Sequence, residues 1–181
     1  MKSANSSLQF VLTLGIIAAA VLAGQSVEPR YPNIFYAVDN NGVLIQLEHQ
    51  TASIRTKMRA LPGYASVKVM GKIEPGRSPV RVIGSTTFIV RGRSPMDPET
   101  HYELHELKAS KHRREFMMTR AHGTLLGGQA TSALEEGDIP IRFENDGADS
   151  YRITSASPLK PGEYALSLRG LTDLYCFGVN Q

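Results

Sequence analysis

The chain carries apolar residues in short alternating runs separated by turn residues. Ile34–Val38 and Val43–Leu47 are two such runs, and Asp39-Asn40-Asn41-Gly42 lies between them. Asn-Gly between two β-rich runs is a strong short-range hairpin signal. Residues 52–60 alternate over a longer stretch. Ala52, Ile54, Thr56, Met58 and Ala60 fall on one side, and Ser53, Arg55, Lys57 and Arg59 on the other. A period of two predicts a half-buried strand with the first set inward. Ile54, Met58 and Leu61 also fit one face of a helix, so that reading stays open until Leu61-Pro62-Gly63 ends the element.

The same pattern recurs to the C-terminus. Ala65–Met70, Val80–Ile83 and Thr86–Arg91 read as strands, the last two forming a hairpin or one bent strand around Gly84-Ser85. Gly-Arg-Ser-Pro occurs at 76–79 and again at 92–95, and reads as a turn used twice. Ser94–Thr100 reads as a loop. Tyr102–Lys108 and Arg114–Thr119 flank a polar bend and predict a hairpin with a basic tip. Gly123–Gly137 is small and polar, with room for at most one helical turn; Ser132 and Glu135 have capping-box spacing, but Gly137 follows closely. Ile139–Phe143, Ser150–Thr154, Glu163–Leu168 and Leu174–Val179 complete the set. Turn signals every eight to twelve residues predict an all-β fold: a single antiparallel β-sandwich, Ig-like or a partly open barrel, of roughly eight to ten strands.

The first segment is of another kind. After Lys2, Phe10–Gly24 is uncharged and ends in small residues. The run is too short for a spanning helix, and its layout is that of a secretory signal peptide. The expected organisation is a signal peptide over 1–24, a short linker over 25–32 and one β-sandwich domain over 33–181. No transmembrane segment is expected in the mature chain, which would be periplasmic or secreted. Leu22-Ala23-Gly24 has the start of a bacterial lipoprotein signal, but Gln25 stands where the lipidated Cys would be.

Composition removes several function classes. The 181 residues include one Cys and no Trp, which excludes a disulfide scaffold and a cysteine-rich zinc module. The net charge is +3, too small for strong capture of nucleic acid. No Gly-x-Ser-x-Gly, Gly-x4-Gly-Lys-Ser/Thr or Gly-x-Gly-x-x-Gly is present. No catalytic residue and no cofactor are assigned. Cys176, between Tyr175 and Phe177 in a strand, reads as a buried and inert thiol.

Residues 34–48, 78–91, 102–119, 158–170 and 173–181 follow an order that resembles a loose group of uncharacterised exported bacterial β-rich proteins. Its most specific part is the C-terminal Pro-Gly-Glu-Tyr-Ala-Leu, here Pro161–Leu166, with a closing Phe-Gly-Val, here Phe177–Val179. The resemblance implies export and a compact β fold, and carries no activity. Read directly, Tyr164, Leu166 and Leu168 share one strand face, as do Tyr175, Phe177 and Val179.

Three constellations remain. His101, Glu103 and His105 point the same way on a strand and are reasonable metal ligands. A solvated strand face explains them as well, and no metal is expected there. Lys108, Lys111, His112, Arg113 and Arg114 cluster at a hairpin tip. Residues 55–93 hold nine Lys or Arg against Glu74 alone, while residues 97–181 hold nine bases against thirteen acids. Arg55, Lys57 and Arg59 therefore form a candidate anion-binding face, unless the acidic half of the chain packs against it. The function expected is a non-enzymatic envelope module that binds an anionic polymer or an acidic protein. The alternative is a small exported metal-dependent enzyme built on His101, Glu103 and His105.

Overall fold

A computed structural model describes residues 28–62, 64–92, 97–123, 131–133, 138–147 and 149–180. The expected signal peptide, most of the Gly123–Gly137 segment and most of the second Gly-Arg-Ser-Pro lie outside them. The chain is all-β and sandwich-like, with two sheets among the described residues.

The smaller sheet has five strands: β1 (Phe35–Val38), β2 (Leu44–Gln46), β7 (Phe88–Arg91), β11 (Ile141–Asn145) and β12 (Ser150–Ser155), in the order β11-β12-β7-β1-β2. The β1–β2 hairpin forms where Asn-Gly predicts it. The Asp39 carboxylate closes the turn by accepting from the Asn41 and Val43 amides.

The larger sheet comprises β3 (Glu48–Thr51), β4 (Ser53–Leu61), β5 (Tyr64–Ile73), β6 (Arg81–Val82), β8 (Tyr102–Ala109), β9 (Arg114–Gly123), β10 (Thr131–Ala133), β13 (Gly162–Leu168) and β14 (Asp173–Val179). Its main path is β3-β14-β13-β8-β9-β5-β4, with β10 on β9 and β6 on β14. β3 and β4 sit at opposite ends of this path yet are separated in the chain only by Ala52. The two ends are thus one bent strand, and the sheet curls into a half-barrel. Its β8–β9 seam holds at two register pairs, Lys108↔Glu115 and Ala109↔Arg114. Beyond them β9 follows β5, and the backbone at Asp138 bridges to His105 on β8.

Two cores follow from this geometry. The first lies between the sheets and gathers Phe35, Phe88 and Ile153 from the small sheet with Leu104, Leu166 and Phe177 from the large one. The second fills the inside of the curl, with Ala52, Ile73, Leu107, Phe116, Leu174 and Cys176. β13 and β14 serve both: Tyr164 and Leu166 face the first core while Ala165 faces the second, and Phe177 and Cys176 divide in the same way. Strands buried on both faces read as continuous apolar runs, which is how Tyr164–Leu166 and Leu174–Phe177 look in sequence.

Four details differ from the sequence reading. Val80–Ile83 and Thr86–Arg91 form neither a hairpin nor one bent strand. β6 adds to β14 in parallel, whereas β7 enters the other sheet. The loop before β8 contains a single helical turn, α1 (Pro98–His101). Asp97 caps it by accepting from the Glu99 amide. The strands are also more numerous than eight to ten, because long runs break at bends such as Ala52. Finally, 53–61 is a strand, and along 53–60 both of its faces are exposed. Ile54 is 55% and Met58 79% exposed. β4 is the last strand on its side, with only β5 beside it among the described residues, so nothing covers its apolar set.

Candidate functional site

The basic face is set by cross-strand register. Arg55, Lys57 and Arg59 alternate along β4 opposite Met70, Lys68 and Ser66 of β5. Register partners share a face of the sheet. Lys57 and Lys68 are thus like charges directly opposite each other, and the register continues the row to Arg120 on β9. Arg55, Lys57 and Arg59 are exposed, and among the described residues none of them or Lys68 forms an ion pair. Several acids of the second half are engaged elsewhere. Glu103 lies near Arg169, Glu115 pairs with Arg113, Asp146 with Arg152, and Glu163 with Arg81.

The three metal candidates do not share one face. His101 ends α1, exposed, with its Nδ1 against Thr100 Oγ1 and the Asp97 carbonyl. Glu103 and His105 do share a face of β8, but it turns into the curl rather than to solvent, and His105 is buried. Tyr102 and Leu104 take the opposite face and are buried in the first core, as the alternation requires. Among the described residues no group of three or more His, Cys, Asp or Glu is arranged to hold a metal ion.

His105 is instead the centre of a buried polar cluster that crosses three segments. Its Nδ1 lies 2.6 Å from Asp138 Oδ1 and its Nε2 3.1 Å from Ser167 Oγ, with Glu103 Oε1 at 3.7 Å. Burial opposes charging of the ring, but the hydrogen bonds to Asp138 and Glu103 and the charges of both outweigh it. Its pKa rises to about 9. The order Ser–His–Asp has the connectivity of a hydrolytic triad, yet a general base must be neutral. At neutral pH this ring is an imidazolium that donates from both nitrogens, and Ser167 is 1% exposed. The arrangement joins β8 and β13 to the Asp138 segment. Asp138 and Ser167 lie 33 and 62 residues from His105, a juxtaposition no local motif could signal.

A second buried network closes the other side of the curl. Arg114, fully buried, makes a two-pronged contact with Glu48 at 2.9 and 3.1 Å, and donates through Nε to the Pro75 carbonyl. Glu163 accepts from Arg81 and from the Ser78 amide. Arg81 reaches it by crossing β14 at Gly178, where an added Cβ would fall within 1.4 Å of the guanidinium. Cys176 sits beside this network. Burial pushes its thiol up to about 12, which leaves it protonated and unreactive.

Next to this network opens a cleft of about 1250 Å³, lined by the β8–β9 turn, the 76–81 loop and the start of β13. Among the described residues no helix is long and apolar enough to cross a membrane. Comparison of the chain with protein-family models, curated proteins and solved structures finds no match.

Proposed function

We propose that this chain is an exported, non-enzymatic β-sandwich module that binds an anionic polymer of the bacterial cell envelope through the β4–β5 face. One observation carries the reading: Lys57 and Lys68 oppose each other across strands, flanked by Arg55 and Arg59, with no carboxylate on them among the described residues. Like charges in that position repel, and a row of cations without internal counterions is offset most simply by an external anion. Export rests on Lys2, the uncharged Phe10–Gly24 run and its small-residue end. The resemblance of Pro161–Leu166 and Phe177–Val179 to exported proteins is consistent with it.

The test is binding of polyphosphate, as a generic polyanion, to the wild-type protein and to Arg55→Ser/Lys57→Ser/Arg59→Ser. Wild type should bind at low salt and lose affinity steeply on going to physiological salt; the triple variant should bind at least about tenfold more weakly at low salt. Equal binding by the two proteins would discard the reading. Exposed charges contribute little to folding, so the variant should keep wild-type stability.

A further inference from the structure

We infer that the cleft beside the β8–β9 turn is a binding site for an anionic amphiphile, a molecule with a phosphate or carboxylate head and an apolar body. The inference does not depend on polymer binding at β4–β5.

Three cations converge on the cleft from two parts of the sequence: Arg77 from the loop after β5, and Lys108 and Lys111 from the end of β8 and the β8–β9 turn. Gly76 brings the first to the others. Its Cα lies so close to the turn that an added Cβ would come within 2.0 Å of the Ser110 carbonyl and 2.8 Å of that of Lys111. All three side chains are exposed, and among the described residues none pairs with a carboxylate. The acids that line the cleft are mostly engaged. Glu163 is held by Arg81, and Glu115 by Arg113; Glu106 alone has no basic partner among the described residues. Three free cations therefore face one free carboxylate, and the cleft attracts an anion.

Apolar side chains form a further part of the lining. Met70 and Met117, partners across β5 and β9, are half-buried and supply its apolar surface, with the buried Leu107, Phe116 and Val179 behind them. Methionine side chains are flexible and polarisable, and they suit apolar ligands of variable shape. A ligand that is only an ion would leave this surface wet, and a neutral apolar ligand would leave the cations unused. The volume, about 1250 Å³, exceeds what a single phosphate fills and is enough for a head with a chain.

The experiment titrates the protein with dodecyl phosphate, inorganic phosphate and dodecyl maltoside, each below its micelle concentration. Wild type is compared with Arg77→Ser/Lys111→Ser and with Lys57→Ser/Arg59→Ser, and an unchanged thermal midpoint certifies the fold of each variant. Dodecyl phosphate should bind wild type and Lys57→Ser/Arg59→Ser alike. It should bind Arg77→Ser/Lys111→Ser about tenfold more weakly, the effect expected when a charged head loses two of its partners. Inorganic phosphate and dodecyl maltoside should bind wild type far more weakly than dodecyl phosphate. Equal affinity of dodecyl phosphate for wild type and Arg77→Ser/Lys111→Ser would overturn the proposal. Inorganic phosphate or maltoside matching dodecyl phosphate would overturn it too, because either the tail or the head would then carry nothing. A loss confined to Lys57→Ser/Arg59→Ser would move amphiphile binding to the β4–β5 face and refute the cleft.

Discussion

His105 shows how a single buried residue ties stability to pH. Its pKa of about 9 in the folded chain lies above the ordinary histidine value of 6.5. A group whose pKa rises on folding stabilises the fold fully below its unfolded pKa, and that contribution is lost as pH climbs through the folded one. The window here is therefore about pH 6.5 to 9, and the loss across it is roughly 3 kcal/mol. Urea midpoints of the wild-type protein should fall between about pH 6 and about pH 9.5. In His105→Gln, which removes the titrating group, the curve across that window should be nearly flat. A wild-type midpoint that stays level over this range would show that the ring is not charged in the fold. The residue type and the strand were readable in sequence, but the charge state was not. It depends on Asp138 and Ser167, which only the packing of three segments brings to the ring.

At the scale of elements, β4 and β9 make a useful pair. The alternation of residues 52–60 identified the strand correctly but assigned Ile54 and Met58 to a core. Alternation reports that one face differs from the other; whether anything covers that face depends on what the sheet places beside it. β4 ends the sheet and its apolar side projects past the second core, whereas Phe116 of β9 lies within it. Ile54→Thr/Met58→Thr should therefore shift unfolding by no more than about 0.5 kcal/mol per site. Phe116→Ala should cost about 3 to 5 kcal/mol, since it empties part of the space inside the curl. Denaturant unfolding of both variants checks the contrast, and a double variant of β4 as damaging as Phe116→Ala would show that its apolar side is covered in solution. The strands from Ile139 to the C-terminus were the most legible, because turns bound them tightly. The parallel addition of β6 to β14 was not, since two residues carry no periodicity.

Across the whole molecule, the two cores are not two domains. β13 and β14 are buried on both sides, so Leu166 and Phe177 hold the space between the sheets while Ala165 and Cys176, on the same backbone, hold the curl. Neither core can open without disturbing strands that the other needs. Unfolding should therefore be one transition, with calorimetric and van't Hoff enthalpies in agreement. Phe88→Leu in the first core and Phe116→Leu in the second should each lower that one midpoint without splitting it. Two resolved transitions in either variant would show that the curl unfolds by itself. The sandwich class was evident from the spacing of turns. The curl was hidden, because Ala52 looks like any other position in an alternating run, and its role as a corner comes from the pairing of β3 with β14 and of β4 with β5.

That corner leaves the outer edge of β4 without a strand beside it among the described residues. Such an edge invites a second molecule to zip on, a route from a β-protein to an aggregate. Two copies meeting edge to edge along this strand would bring Arg55, Lys57 and Arg59 of one molecule against the same three of the other. The repulsion keeps the molecules apart in dilute salt and fades as ions screen it. The protein's colloidal behaviour is thus set by every second residue of one strand, a guard against its own kind.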